Sequence, residues 1–147
     1  MTHRTRFLAL VLGTLSLALS AAPAPMKFTD VRTQSAEFVG YWKSIALTPE
    51  QEAVKKAALE ALPAPCCSDN TAYTCCCPCN LSKTTWGLSN YLIAKRGYSA
   101  EQVKTAAAEW IKFVSPSGFS GKGCYTGSCP KPFAEGGCGG MKEPVQF

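Results

Sequence analysis

The sequence predicts a mainly α-helical protein: a small three- to four-helix bundle with a cysteine-rich loop and an irregular Gly/Cys-rich C-terminal tail. Three observations carry this. Thr48-Pro49-Glu50-Gln51 and Ser99-Ala100-Glu101-Gln102 are capping boxes, each opening a stretch whose apolar residues recur at helical spacing. Six of the nine cysteines fall between Cys66 and Cys79, in runs of two and three that ordinary core packing does not require. Eight of the twelve glycines lie between Gly118 and Gly140, among Cys124, Cys129 and Cys138, where no periodicity survives.

The N-terminus reads as a signal peptide. A basic start with Arg4 and Arg6 precedes the apolar run from Phe7 to Leu19, and Ala18 and Ser20 supply the small residues of a cleavage site after Ser20. The run is shorter than the ~20 residues a membrane span needs, and no comparable run follows, so no stable span is expected after cleavage. Removing 20 of the 147 residues leaves 127, and losing Arg4 and Arg6 takes the net charge from +5 to +3. The expected location is exported, periplasmic or extracellular in a bacterium, where disulfides persist. The lysines are scattered with no aromatic-interleaved basic stripe, which argues against nucleic acid as a partner.

Cleavage also removes His3, the sole histidine. Cys–His catalysis, mixed Cys/His zinc sites and haem are thereby excluded as readings of the mature chain. Any metal has to be held by sulfur.

Residues 21–32 read as a flexible leader, and 33–147 as one cysteine-rich helical domain whose tail, 115–147, is irregular. A short amphipathic helix from Thr33 to Ile45 would turn Ala36, Phe38, Val39, Tyr41 and Trp42 inward, with Gly40 as its weak point. The helix capped by Thr48 should run to Leu62 with Val54, Ala58, Ala61 and Leu62 inward, stopped by Pro63 and Pro65. After the cysteines, Asn80 or Ser82 can cap a helix that ends at Gly97, with Leu81, Thr85, Leu88 and Leu92 on one stripe. Ser99 then caps a helix carrying Val103, Ala106, Ala107, Trp110, Ile111 and Val114, so the last two helices form an antiparallel hairpin.

Three readings of the sulfur follow, and only one is catalytic. The first is an exported protein that binds or delivers a soft metal, copper as Cu(I) or zinc as Zn(II), through Cys66, Cys67, Cys75, Cys76, Cys77 and Cys79, with Cys124, Cys129 and Cys138 as helpers. An iron–sulfur cluster ranks behind these ions. Cys76-x-x-Cys79 is a spacing that lets two sulfurs reach one ion, with Cys66 or Cys67 returning across the loop. Met26 and Met141 could assist copper, whereas Asp69 suits a turn better than ligation. The second reading is thiol–disulfide exchange with a protein partner, using Cys76 as attacking sulfur and Cys79 as its resolving partner at a helix N-terminus. The third is a non-catalytic domain stapled by disulfides, of which nine cysteines allow at most four.

Cys76-x-x-Cys79-Asn80, a helix, Gly97-Tyr98-Ser99 and a second helix with Val103 resemble the periplasmic thiol reductases of cytochrome c maturation, over residues 76–114. The resemblance implies a redox pair of Cys76 and Cys79 ahead of a three-helix bundle, with Asn80 standing where that family has glutamine. The cluster is also similar to small exported bacterial proteins of the Pro-Cys-Tyr-Cys-Gly-Cys type.

Overall fold

The computed structural model describes residues 23–119 and 121–147, so the expected signal peptide lies outside the described residues. Four helices follow one another: α1 (Val31–Ser44), α2 (Pro49–Glu60), α3 (Asn80–Arg96) and α4 (Ala100–Val114). A two-stranded antiparallel ribbon, β1 (Pro63–Ala64) and β2 (Cys67–Thr71), is inserted between α2 and α3. Among the described residues no helix is long and apolar enough to cross a membrane.

Both expected capping boxes form. Thr48 Oγ1 accepts the Gln51 amide while Gln51 Oε1 accepts the Thr48 amide, and Ser99 and Gln102 exchange the same pair of bonds. Gly97 ends α3 in the left-handed conformation (φ 65°), which lets the chain double back into α4. The first helix starts two residues earlier than its apolar pattern indicates, because the Asp30 carboxylate accepts the Thr33 amide at 2.6 Å and caps it. Residues 23–30, read as a leader, have no regular structure, yet Phe28 packs 5.3 Å from the Trp110 ring centroid and Tyr98 Oη donates to the Ala24 carbonyl.

The core lies between α1, α3 and α4. Trp110 is fully buried, edge-on to Phe38 at 4.8 Å, and its Nε1 donates to Thr84 Oγ1 at 3.0 Å. Gly87 is where α1 and α3 meet: a Cβ there would lie 1.8 Å from the Phe38 carbonyl oxygen. Inward positions on α4 agree with the periodicity except that Ile111 is only half-buried. On α2, Leu59 is buried and Ala61 exposed, and on α1 Ser35 replaces the exposed Ala36 in the interior.

Helix α3 is central, and its first turns are buried on nearly every side, including Asn80, Ser82, Lys83, Thr84 and Thr85. A single apolar stripe underestimates such a helix. Its small polar side chains are tolerated because they bond to nearby carbonyls: Thr84 and Thr85 donate to Leu81, and Ser89 to Thr85. This central helix begins at the cysteine loop, and the Gly-rich tail packs onto that same end.

Candidate metal centre

Cys79 is the N-cap residue of α3, with extended backbone (φ −70°, ψ 167°) that turns its sulfur into the interior. The first α3 amides are taken by the tail: Asn80 N–H donates to the Gly140 carbonyl at 2.9 Å and Leu81 N–H to the Cys138 carbonyl at 3.0 Å. Asn80 Nδ2 reaches the carbonyls of Gly139 (2.7 Å) and Lys142 (3.0 Å), and buried Lys83 donates to the Met141 carbonyl at 2.8 Å. Three polar grips therefore hold residues 138–142 against the helix start. Further along, Ser68 N–H donates to Gly121 and Cys124 N–H to the Cys66 carbonyl, so a second stretch of tail lies beside the ribbon.

The result is that all nine cysteines converge, six from the loop and three from the tail. Every one is a free thiol, including Cys124, Cys129 and Cys138 of the tail. Backbone hydrogen bonds, rather than S–S bonds, hold the tail here.

The sulfurs fall into two adjoining groups. In the inner group, Cys66 interacts with Cys138, Cys75 and Cys79, and Cys79 accepts from Cys138, Cys66 and Cys75. Hydrogen bonds from Cys138, Cys66 and Cys75 hold the Cys79 thiol well below its ordinary pKa, and the bonds Cys66 makes to Cys138, Cys75 and Cys79 raise its own thiol strongly. Among the inner sulfurs, Cys79 is the one whose surroundings most favour the thiolate form. Ser82 Oγ lies 3.3 Å from Cys79 Sγ and supports the charge.

In the outer group, Cys124 Sγ lies 3.8 Å from Cys76, 3.9 Å from Cys77 and 3.7 Å from Cys129, and Cys129 lies 3.7 Å from Cys77. Cys67 joins it through Cys76 and Cys124. Its thiol is lowered by the Asn70 side chain, which donates at 3.3 Å, and then by the Asp69 amide. Burial pushes Cys124 up to about 11. Cys76 is exposed and also pushed up to about 11, chiefly by its hydrogen bond with Cys77, 3.4 Å away.

Three triads have sulfurs all within 4.8 Å of one another: Cys66/Cys129/Cys138, Cys67/Cys76/Cys124 and Cys77/Cys124/Cys129. The Cys77/Cys124/Cys129 triangle has edges of 3.7, 3.7 and 3.9 Å. Four sulfurs placed tetrahedrally at ~2.3 Å from one ion are ~3.8 Å apart, and three in a plane around it ~4.0 Å apart. A disulfide would need ~2.05 Å. The spacing fits thiolates around a soft metal as well as it fits thiols in mutual contact, and the cysteine groups can hold such an ion.

The two ends of Cys76-x-x-Cys79 have different nearest sulfurs. Cys76 faces Cys77, Cys124 and Cys67 in the outer group, while Cys79 faces Cys138, Cys66 and Cys75 in the inner one. Pro78 and the extended N-cap separate the two side chains, and Cys75, four residues before the N-cap, meets Cys79 instead. Met26 joins neither group. Met26 lies with Tyr98, Glu101 and Gln102 at the far end of α3, whose 17 residues span ~25 Å, and Met141 is 39% exposed. Asp69 accepts from Tyr125 Oη at 2.5 Å in the surface turn.

Asn70 and Lys83 were not evident as contributors from their order in the chain, and Ser82 was legible only as a possible helix cap, a position that Cys79 takes. Asn80 was legible only as a helix cap, yet its side chain grips the tail. Comparison of the chain with family models, with curated proteins and with solved structures finds no match.

Proposed function

We propose that this chain is an exported soft-metal-binding protein that takes up, and passes on, Cu(I) or Zn(II) through cysteine thiolates. One observation carries the reading: the Cys77/Cys124/Cys129 sulfurs form a near-equilateral triangle at metal-ligand spacing, built from two segments of chain about fifty residues apart. Such a site costs a protein desolvation and side-chain entropy, and an ion coordinated by the sulfurs offsets both. The nature of the donors selects the ion, since soft thiolates without imidazole or carboxylate partners favour Cu(I) and Zn(II) over hard cations. Export is supported by the N-terminal pattern of Arg4, Arg6 and the apolar run that follows. Exposure of Cys76 at the surface of the sulfur group offers a sulfur to which an ion can first bind and from which it can leave.

The test is equilibrium competition of the reduced chain against chromophoric chelators for Cu(I) and for Zn(II), with bound metal counted by native mass spectrometry. The expected result is retention of metal and a rise in thermal midpoint on loading, because an ion that binds only the folded state stabilises it by mass action. A reduced, folded chain that takes up neither ion would overturn the reading.

A further inference from the structure

The three triads are not independent sites. Cys124 belongs both to the triad with Cys67 and Cys76 and to the triad with Cys77 and Cys129, and Cys129 belongs to that second triad and to the one with Cys66 and Cys138. Cys66 and Cys124 Sγ are 3.3 Å apart, so the inner and outer groups touch. One ion takes three or four thiolates. Nine sulfurs in one continuous group exceed the demand of a single ion and are too interleaved for separate sites.

Resting on the reading of thiolate metal binding above, we propose that the centre is a single polynuclear metal–thiolate cluster, one soft ion per triad, with Cys124 and Cys129 as bridging sulfurs. A thiolate sulfur carries three lone pairs and can bond two ions at once. Three ions with unshared triads would require nine thiolates, whereas the sharing seen here requires seven. Bridging therefore removes two negative charges from a site that is partly withdrawn from water, where unneutralised charge is costly. At each sulfur that binds, an S–H bond breaks, the proton passes to solvent and an S–metal bond forms. Copper enters and stays as Cu(I), so no electron acceptor is needed.

Sharing also dictates the order of filling. An ion in the middle triad, Cys77/Cys124/Cys129, fixes one sulfur of each flanking triad and so reduces the ordering entropy that the next ion must overcome. Loading is cooperative.

The experiment is anaerobic titration of the reduced full-length mature chain with Cu(I), followed by native mass spectrometry and X-ray absorption. At substoichiometric metal, metal-free chains should coexist with multiply loaded ones, and the absorption spectrum should contain a metal–metal scattering path. Cys124→Ser removes a sulfur common to two triads and should lower capacity by two ions, whereas Cys67→Ser should lower it by one. Far-UV circular dichroism of each variant checks that the helices persist. Saturation at one ion per chain, or equal losses in the two variants, would overturn the bridged cluster while leaving metal binding intact. A chain that binds no Cu(I) would overturn both.

Discussion

Cys66 and Cys124 are 58 positions apart, yet their sulfurs lie 3.3 Å from each other and the Cys124 amide donates to the Cys66 carbonyl at 2.9 Å. Backbone and side chain are thus joined at one point. The loop cannot present its sulfurs in this arrangement without the tail, whose only regular element among the described residues is a single 3-10 turn at Phe133–Glu135.

Asn80 is the most exposed to test among the residues that join them. Asn80→Ala removes two bonds to tail carbonyls, those of Gly139 and Lys142. Two lost hydrogen bonds at ~0.5–1.5 kcal/mol each come to ~1–3 kcal/mol. Urea unfolding should show a loss of that size, and metal capacity should fall with it because Cys138 lies in the segment set free. Retained capacity with unchanged stability would show that Asn80 does not hold the tail.

Trp110→Ala should destabilise the fold by ~3–5 kcal/mol, as expected for deleting a large buried aromatic. The indole packs on Phe28 and Phe38, and its loss also leaves Thr84 Oγ1 without its donor. Denaturant midpoints measure it. A change below ~1 kcal/mol would contradict the placement of Trp110 in the core.

Two glycines should respond with opposite signs. Gly87→Ala drives a Cβ to within 1.8 Å of the Phe38 carbonyl and should cost ~1–3 kcal/mol by separating α1 from α3. Gly40→Ala meets nothing within 4 Å on the exposed side of α1 and should stabilise by ~0.5–1 kcal/mol. Thermal midpoints moving in the same direction would refute the α1–α3 crossing.

Metal-free and metal-loaded protein should differ in pH dependence. Seven thiols, those of Cys66, Cys75, Cys76, Cys77, Cys124, Cys129 and Cys138, are raised in the fold. Their contribution is complete below the unfolded thiol pKa of ~8.5 and is lost as pH rises from there through the folded values, about 11 for Cys76 and Cys124. Cys67 and Cys79 are lowered, so their contribution is present above ~8.5 and lost as pH falls below it. Above ~8.5 the contribution of Cys67 and Cys79 is already complete, so the raised thiols alone set the slope and the reduced, metal-free chain should lose stability between ~8.5 and about 11. Loaded protein should behave oppositely at the acid end, releasing metal as protons compete for sulfur. Unfolding curves at several pH values, with and without Cu(I), check both slopes.

Much of the helical frame was legible because its signals are local. Thr48 with Gln51, and Ser99 with Gln102, bond within one turn, and Gly97 ends α3 through its own φ. Burial on α4 follows the 3.6-residue period because that helix has one wet side. The same period failed for the start of α3, where Asn80, Ser82 and Lys83 are buried by segments that arrive from the tail. The β1–β2 ribbon was missed because two to five residues with a cysteine pair carry no alternation to read.

For the site, composition alone determined the chemistry: nine cysteines and no histidine beyond position 3 leave sulfur as the donor, and the Cys66–Cys79 stretch as its main source. Tertiary structure decided the grouping. Which sulfur meets which depends on side-chain direction and on contacts across tens of residues, and neither is written in spacing along the chain. Cys76 and Cys79, three apart, end in different groups because an extended N-cap turns one inward and leaves the other at the surface. Cys66 and Cys124 meet because the tail's backbone bonds to the loop and to the first turn of α3.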